Sequence, residues 1–132
     1  MAINFFNGTF LLRIAVIVIL LVHSITGMFT NGINDFGNLY LNEIGFAPFG
    51  VAVAWAIKLS HVVAAISFLF EKYVKIMGVI TLFILVMGII MVHYPSGWFV
   101  VGGGTNGVEF NFLLIFSVLT IMFPNGLKPT TR

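Results

Sequence analysis

Four stretches of the chain are almost continuously apolar: Phe10 to Phe29, Phe46 to Phe70, Val74 to Val92, and Val108 to Pro124. Crossing the hydrocarbon core of a bilayer takes roughly 20 such residues, within a range of about 17 to 25. Each run meets that length, the last at its short end. The runs do not alternate, as the strands of a membrane barrel would. Lipid offers no partner to a free N–H or C=O, so continuous runs must close their hydrogen bonds internally, as helices. The pattern predicts an all-α integral membrane protein, a four-transmembrane-helix bundle filling 1–132 as one domain. The two longer polar connections hold "TNGINDFGN" and "YPSG", residues that favour ordered turns.

Composition strengthens this reading. Of the 132 residues, 60% are hydrophobic and only 8% charged, with mean hydropathy +1.13. A soluble domain carries roughly 25% charged residues. Net charge is only +2, which gives no footprint for nucleic acid. There is no cysteine, so this chain brings no thiolate for catalysis, zinc or an iron–sulfur cluster. A redox role would need a bound cofactor, a quinone or a partner.

The few basic residues are placed one-sidedly. Arg13 opens run one, Lys72 and Lys75 separate runs two and three, and Lys128 and Arg132 follow run four. The connections 30–45 and 93–107 contain neither Lys nor Arg. The positive-inside rule then predicts that both the N and C termini are cytoplasmic. A cleaved signal peptide is disfavoured, since Arg13 comes late and no small-residue cleavage site follows.

One motif invites a different reading. Gly102, Gly104 and Gly107 form a G-x-G-x-x-G, followed by Glu109. A dinucleotide fold needs a strand before that motif and an acid about 20 residues beyond it. Neither exists here, so no nucleotide is expected. Asn106 and Glu109 instead match capping-box spacing, with Asn106 as N-cap of the fourth helix and Glu109 at its third position. Tyr94 and Trp98 read as interfacial anchors, and so does His93.

Ionisable residues inside the runs are the candidate chemistry. Lys58 and His61 lie near the middle of run two, three apart and therefore on one face, which Ala54 and Ala65 extend. Lys58 is twelve residues from Phe70, about 18 Å at 1.5 Å per residue, a long way for a lysine to snorkel. An inward-facing lysine is the expectation, because an intramembrane charge marks a functional site by default. His23, in the antiparallel run one, falls at a similar depth to Lys58. The three define a candidate polar pocket. No metal site is expected. Haem is disfavoured, since His23 and His61 differ in depth by about 6 Å. The stripes Gly78–Thr81–Leu85–Gly88 and Glu109–Leu113–Ser117–Thr120 read as helix packing.

The whole-chain layout, the early Arg13, "HSITG" late in helix one, the outer loop running into "NGVEFN" and the closing "FPNG" resemble the DoxX family of small bacterial membrane proteins. The resemblance implies a four-helix bundle in the bacterial inner membrane. It also implies an association with redox chemistry, since relatives include subunits of thiosulfate:quinone oxidoreductase. Many relatives carry a glutamate near the middle of helix two, where this chain has Lys58, so a mechanism built on that acid does not carry over. The leading expectation is a redox-associated subunit contacting quinone or a partner oxidoreductase through Lys58, His61 and His23. The alternatives are an accessory subunit packing in a larger membrane complex, and a small dimeric transporter. Expected partners are the lipid bilayer and either other membrane subunits or further copies of the chain. Whether the chain catalyses a reaction stays open.

Overall fold

The structure, a computed structural model, describes residues 2–127. Lys128 and Arg132, used in the charge argument, lie outside the described residues. Helices make up all the regular structure among the described residues. Three helical stretches are long and apolar enough to cross a membrane: Phe10–Met28, Gly50–Phe70 and Val74–Ser96. The first is α1 and the second α3. The third is α4 (Val74–Gly88), extended by a π-helical segment (Ile89–His93) and a single 3-10 turn (Tyr94–Ser96). A fourth apolar helix, α5 (Glu109–Met122), has 14 residues, about 21 Å at the helical rise. It stops short of the expected Pro124 because the residue before a proline is pushed out of the helical region, and Phe123 has φ −130° and ψ 66°.

The stretch from Thr30 to Gly45 differs from expectation. Its turn-forming letters do not make a simple turn. They form a short helix α2 (Gly32–Asp35) that continues as a π-helical segment, Phe36–Phe46, with a kink at Gly45 (φ 112°). The cause is burial. Ile33, Gly37 and Leu41 recur every fourth residue and are all covered, and Ile33 and Leu41 pack with Ala54 of α3. Gly37 lies directly on the Val51 backbone, where a Cβ would clash. The Asn42 side chain accepts a hydrogen bond from Gly50 N at 2.9 Å. This layer occupies the start of the second apolar run, so α3 begins at Gly50 rather than Phe46.

α1, α3, α4 and α5 form a ring in which each touches two others. At one end the ring is closed. Val16, Ile17 and Leu20 of α1 pack against Ala64, Ala65 and Phe68 of α3, and against Val118, Ile121 and Met122 of α5. Gly78 lets α4 approach closely, since a Cβ there would strike the Met122 side chain. The seam of α1 and α3 is fixed by Arg13, only 2% exposed. Its guanidinium donates to the Glu71 carboxylate, to Phe68 O at 3.5 Å and to Asn4 O at 2.9 Å. The Asn7 amide donates to the same carboxylate at 2.6 Å. The ring faces outwards with Leu11, Val79, Phe83 and Ile90, among others, as contact with a lipid bilayer requires.

The glycine-rich loop corrects one expectation. Asn106 does not cap α5: its φ is +59°, and the residue ahead of the helix is Val108. Glu109 reaches back to the loop instead. Its Oε1 accepts from Val100 N at 2.6 Å and Val101 N at 3.2 Å, while its own N–H donates to Trp98 O at 3.0 Å. Gly104 and Gly107 sit against the Phe99 carbonyl without room for a Cβ. The glycines therefore serve chain packing, and the carboxylate is a clasp on two backbone amides. Glu109→Gln keeps an acceptor oxygen and should be mild. Glu109→Ala leaves both amides without it and should cost about 1–3 kcal/mol, the scale of unmade hydrogen bonds. Thermal unfolding of the purified variants in detergent measures the difference, and equal losses in both would refute the clasp.

Candidate functional site

Opposite the closed end, the four helices line a partly open cavity of about 480 Å³. Ile19, Leu20 and His23 of α1 contribute to it, as do Ile57, Lys58 and His61 of α3. Phe83, Ile84, Leu85 and Met87 of α4 form much of the facing wall, and Phe110, Asn111 and Leu114 of α5 complete it. Phe36, Leu41, Ile44 and Phe46 bring the π-helical layer to its edge. The lining is predominantly apolar with a few polar groups, and its volume falls within the roughly 300–1,000 Å³ of small-molecule sites.

The three residues proposed from sequence come together here. His23, Lys58 and His61 all line this one cavity. The reason is helical register. Arg13 on α1 meets Phe68 on α3, and α1 and α3 run antiparallel. Moving ten residues along each from that contact brings His23 level with Lys58. His61 shares the Lys58 face, one turn nearer the packed core.

Each polar group has a distinct setting. His61 is 7% exposed, and neither ring nitrogen has a hydrogen-bond partner among the described residues. A neutral imidazole has one donor and one acceptor to satisfy, and each buried polar atom left unpaired costs about 1–3 kcal/mol. Lys58 is half-buried, with Nζ 6.0 Å from the centre of the Phe36 ring, within reach of a cation–π attraction. His23 is the least covered of the three. No group of three His, Asp or Glu side chains among the described residues is placed to hold a metal ion.

Two further polar residues line the cavity that the sequence reading gave other roles or passed over. His93, read as an interfacial anchor, points one nitrogen at Asn106 O, with Nδ1 at 2.8 Å, and still borders the cavity. The π-helical turn Ile89–His93 brings it there, and turn width is not written in a hydropathy pattern. Asn111, 8% exposed, donates through Nδ2 to Leu85 O at 3.2 Å. That bond holds α5 to α4 and leaves the amide oxygen available to a ligand. A buried asparagine two residues into an apolar helix was the available signal.

The unpartnered imidazole yields a prediction. His61→Leu removes two unsatisfied polar atoms at little change in volume, so the ligand-free protein should gain about 1–3 kcal/mol. Thermal unfolding in detergent reads this. A loss of stability would mean that the ring nitrogens are satisfied in the native protein. Comparison with protein-family models, with curated proteins and with solved structures finds no match for this chain.

Proposed function

We propose that this chain is a DoxX-like subunit of the bacterial inner membrane, a four-span bundle that binds quinone in its cavity and serves a redox assembly. The observation that carries this reading is the gathering of His23, Lys58 and His61 in one apolar cavity, with both His61 ring nitrogens unpartnered. A quinone head is a flat apolar ring with a carbonyl oxygen on each side. Recognition needs apolar walls and a donor at each oxygen, because binding sites fix orientation with a few placed polar groups. Lys58 or His61 suits the inner oxygen. His23, or His93 if its second nitrogen carries the proton, suits the outer one. Phe36, Phe83 and Phe110 offer aromatic walls. The quinone tail leaves between helices into lipid.

Protein purified with native lipid should retain quinone, and added decylubiquinone should bind in equilibrium dialysis. Lys58→Met and His61→Leu should each weaken binding about tenfold or more, the loss expected when a charged or buried hydrogen bond is removed. Absence of both retained and added quinone would overturn the reading.

The four-span arrangement includes cytoplasmic termini. Arg13, Glu71 and Lys75 stand at one end of the bundle around a common recess, and the stretch 93–107 holds no basic residue. Ser96→Cys gives the chain its one thiol, since it has no cysteine. A membrane-impermeant maleimide should label it from the periplasmic side in intact spheroplasts. Labelling only in inverted vesicles would reverse the topology.

A further inference from the structure

The cavity's charge pattern is one-sided. Lys58 and three histidines line it, and no carboxylate does. All four acids of the chain are placed elsewhere. Asp35 accepts from the Asn31 amide at 2.9 Å, Glu71 pairs with Arg13, and Glu109 holds the Val100 and Val101 amides. Glu43 is exposed on the π-helical segment and takes no part in the lining. Among the described residues the one ion pair is Arg13–Glu71, so the Lys58 amino group has no carboxylate partner. An amino group in an apolar recess is costly without a counter-charge. A few ångströms away, at the low effective dielectric of such a site, an anionic oxygen interacts far more strongly than it would in water.

We infer that the cavity selects an amphiphile whose head carries an ionised oxygen, seated between Lys58 and His61, with an apolar tail against the Ile, Leu, Phe and Met walls. The deep position of His61 supports this placement. Its two ring nitrogens are buried and unpartnered among the described residues, so a turn of the ring that brings a protonated nitrogen to the cavity lets it donate to the same oxygen that Lys58 neutralises. Two sources share that chemistry: the carboxylate of a long-chain fatty acid, and the enolate of a 2-hydroxyquinone. The inference rests on the reading of the cavity as a ligand site but does not require that the ligand be redox-active.

The test uses the full chain in a non-ionic detergent and two matched pairs of probes. One pair is palmitate and hexadecanol. The other is a 3-alkyl-2-hydroxy-1,4-naphthoquinone, ionised at neutral pH, and the same 3-alkyl naphthoquinone without the hydroxyl. In equilibrium dialysis the ionised member of at least one pair should bind about tenfold or more tightly than its neutral partner, as charge-assisted bonds exceed neutral ones. Lys58→Met should abolish that preference and Lys58→Arg should retain it. Palmitate preferred over hexadecanol, with neither naphthoquinone bound, supports an ionised head and removes the quinone reading. Preference within the naphthoquinone pair supports both. Equal binding of the two naphthoquinones with no binding of palmitate overturns the inference and leaves the quinone reading standing. Binding of none of the four overturns both.

Discussion

The Arg13–Glu71 pair, a buried guanidinium on a partly exposed carboxylate, sets the alignment on which the rest depends. A guanidinium on a residue only 2% exposed has few tolerable environments, because a buried charge without a partner is costly. Arg13 meets Glu71, Phe68 O and Asn4 O together, which ties the start of α1 to the end of α3 and to the chain ahead of α1. Helix seams packed from Val, Ile, Leu and Ala tolerate sliding, since apolar contacts carry little direction. A slip of one turn is about 5.4 Å and would separate the two bonds that cross the seam, to Glu71 and to Phe68 O. It would also move His23 away from Lys58. The polar contact at one end thus decides which side chains meet ten residues further along.

From that end the bundle changes character. The first half is closed by small residues at the contacts: Ala64 and Ala65 on α3, and Gly78 beneath Met122. The second half is held apart by what has been inserted there. The Gly37–Val51 contact and the Asn42 bond to Gly50 seat the π-helical layer on α3. The Glu109 clasp and the His93–Asn106 contact tie down the loop ahead of α5. The Glu109 clasp takes up one acid, and no carboxylate reaches the lining, whose polar groups are Lys58, three histidines and Asn111.

Much of this was legible in the sequence. Uninterrupted apolar runs leave no option but helices, so the positions of α1, α3, α4 and α5 follow within a few residues. Lys58, His61 and His23 were legible as neighbours because helical rise and antiparallel order fix depth. The layer at 32–46 was not. Its letters are those of turns, and only the cover given by α3 makes Ile33, Gly37 and Leu41 a packed face. The role of Glu109 was half legible. Its spacing from Asn106 fits a cap, but the positive φ of Asn106 directs the carboxylate to amides behind it. That His93 also borders the cavity was not legible, since a π-helical turn shifts a side chain around the axis without changing the composition.

An unevenly packed bundle also responds unevenly to compression. Pressure favours states that eliminate internal void, and the volume lost on unfolding scales with that void. Here the larger cavity, about 480 Å³, lies away from Arg13, and the recess beside Arg13 is about 250 Å³. Squeezing the protein would therefore loosen the π-helical layer and the glycine loop before it disturbs the seam of α1 and α3. Whatever occupies the cavity takes up that compressible volume, so occupancy and hydrostatic pressure act on the same half of the molecule in opposite senses.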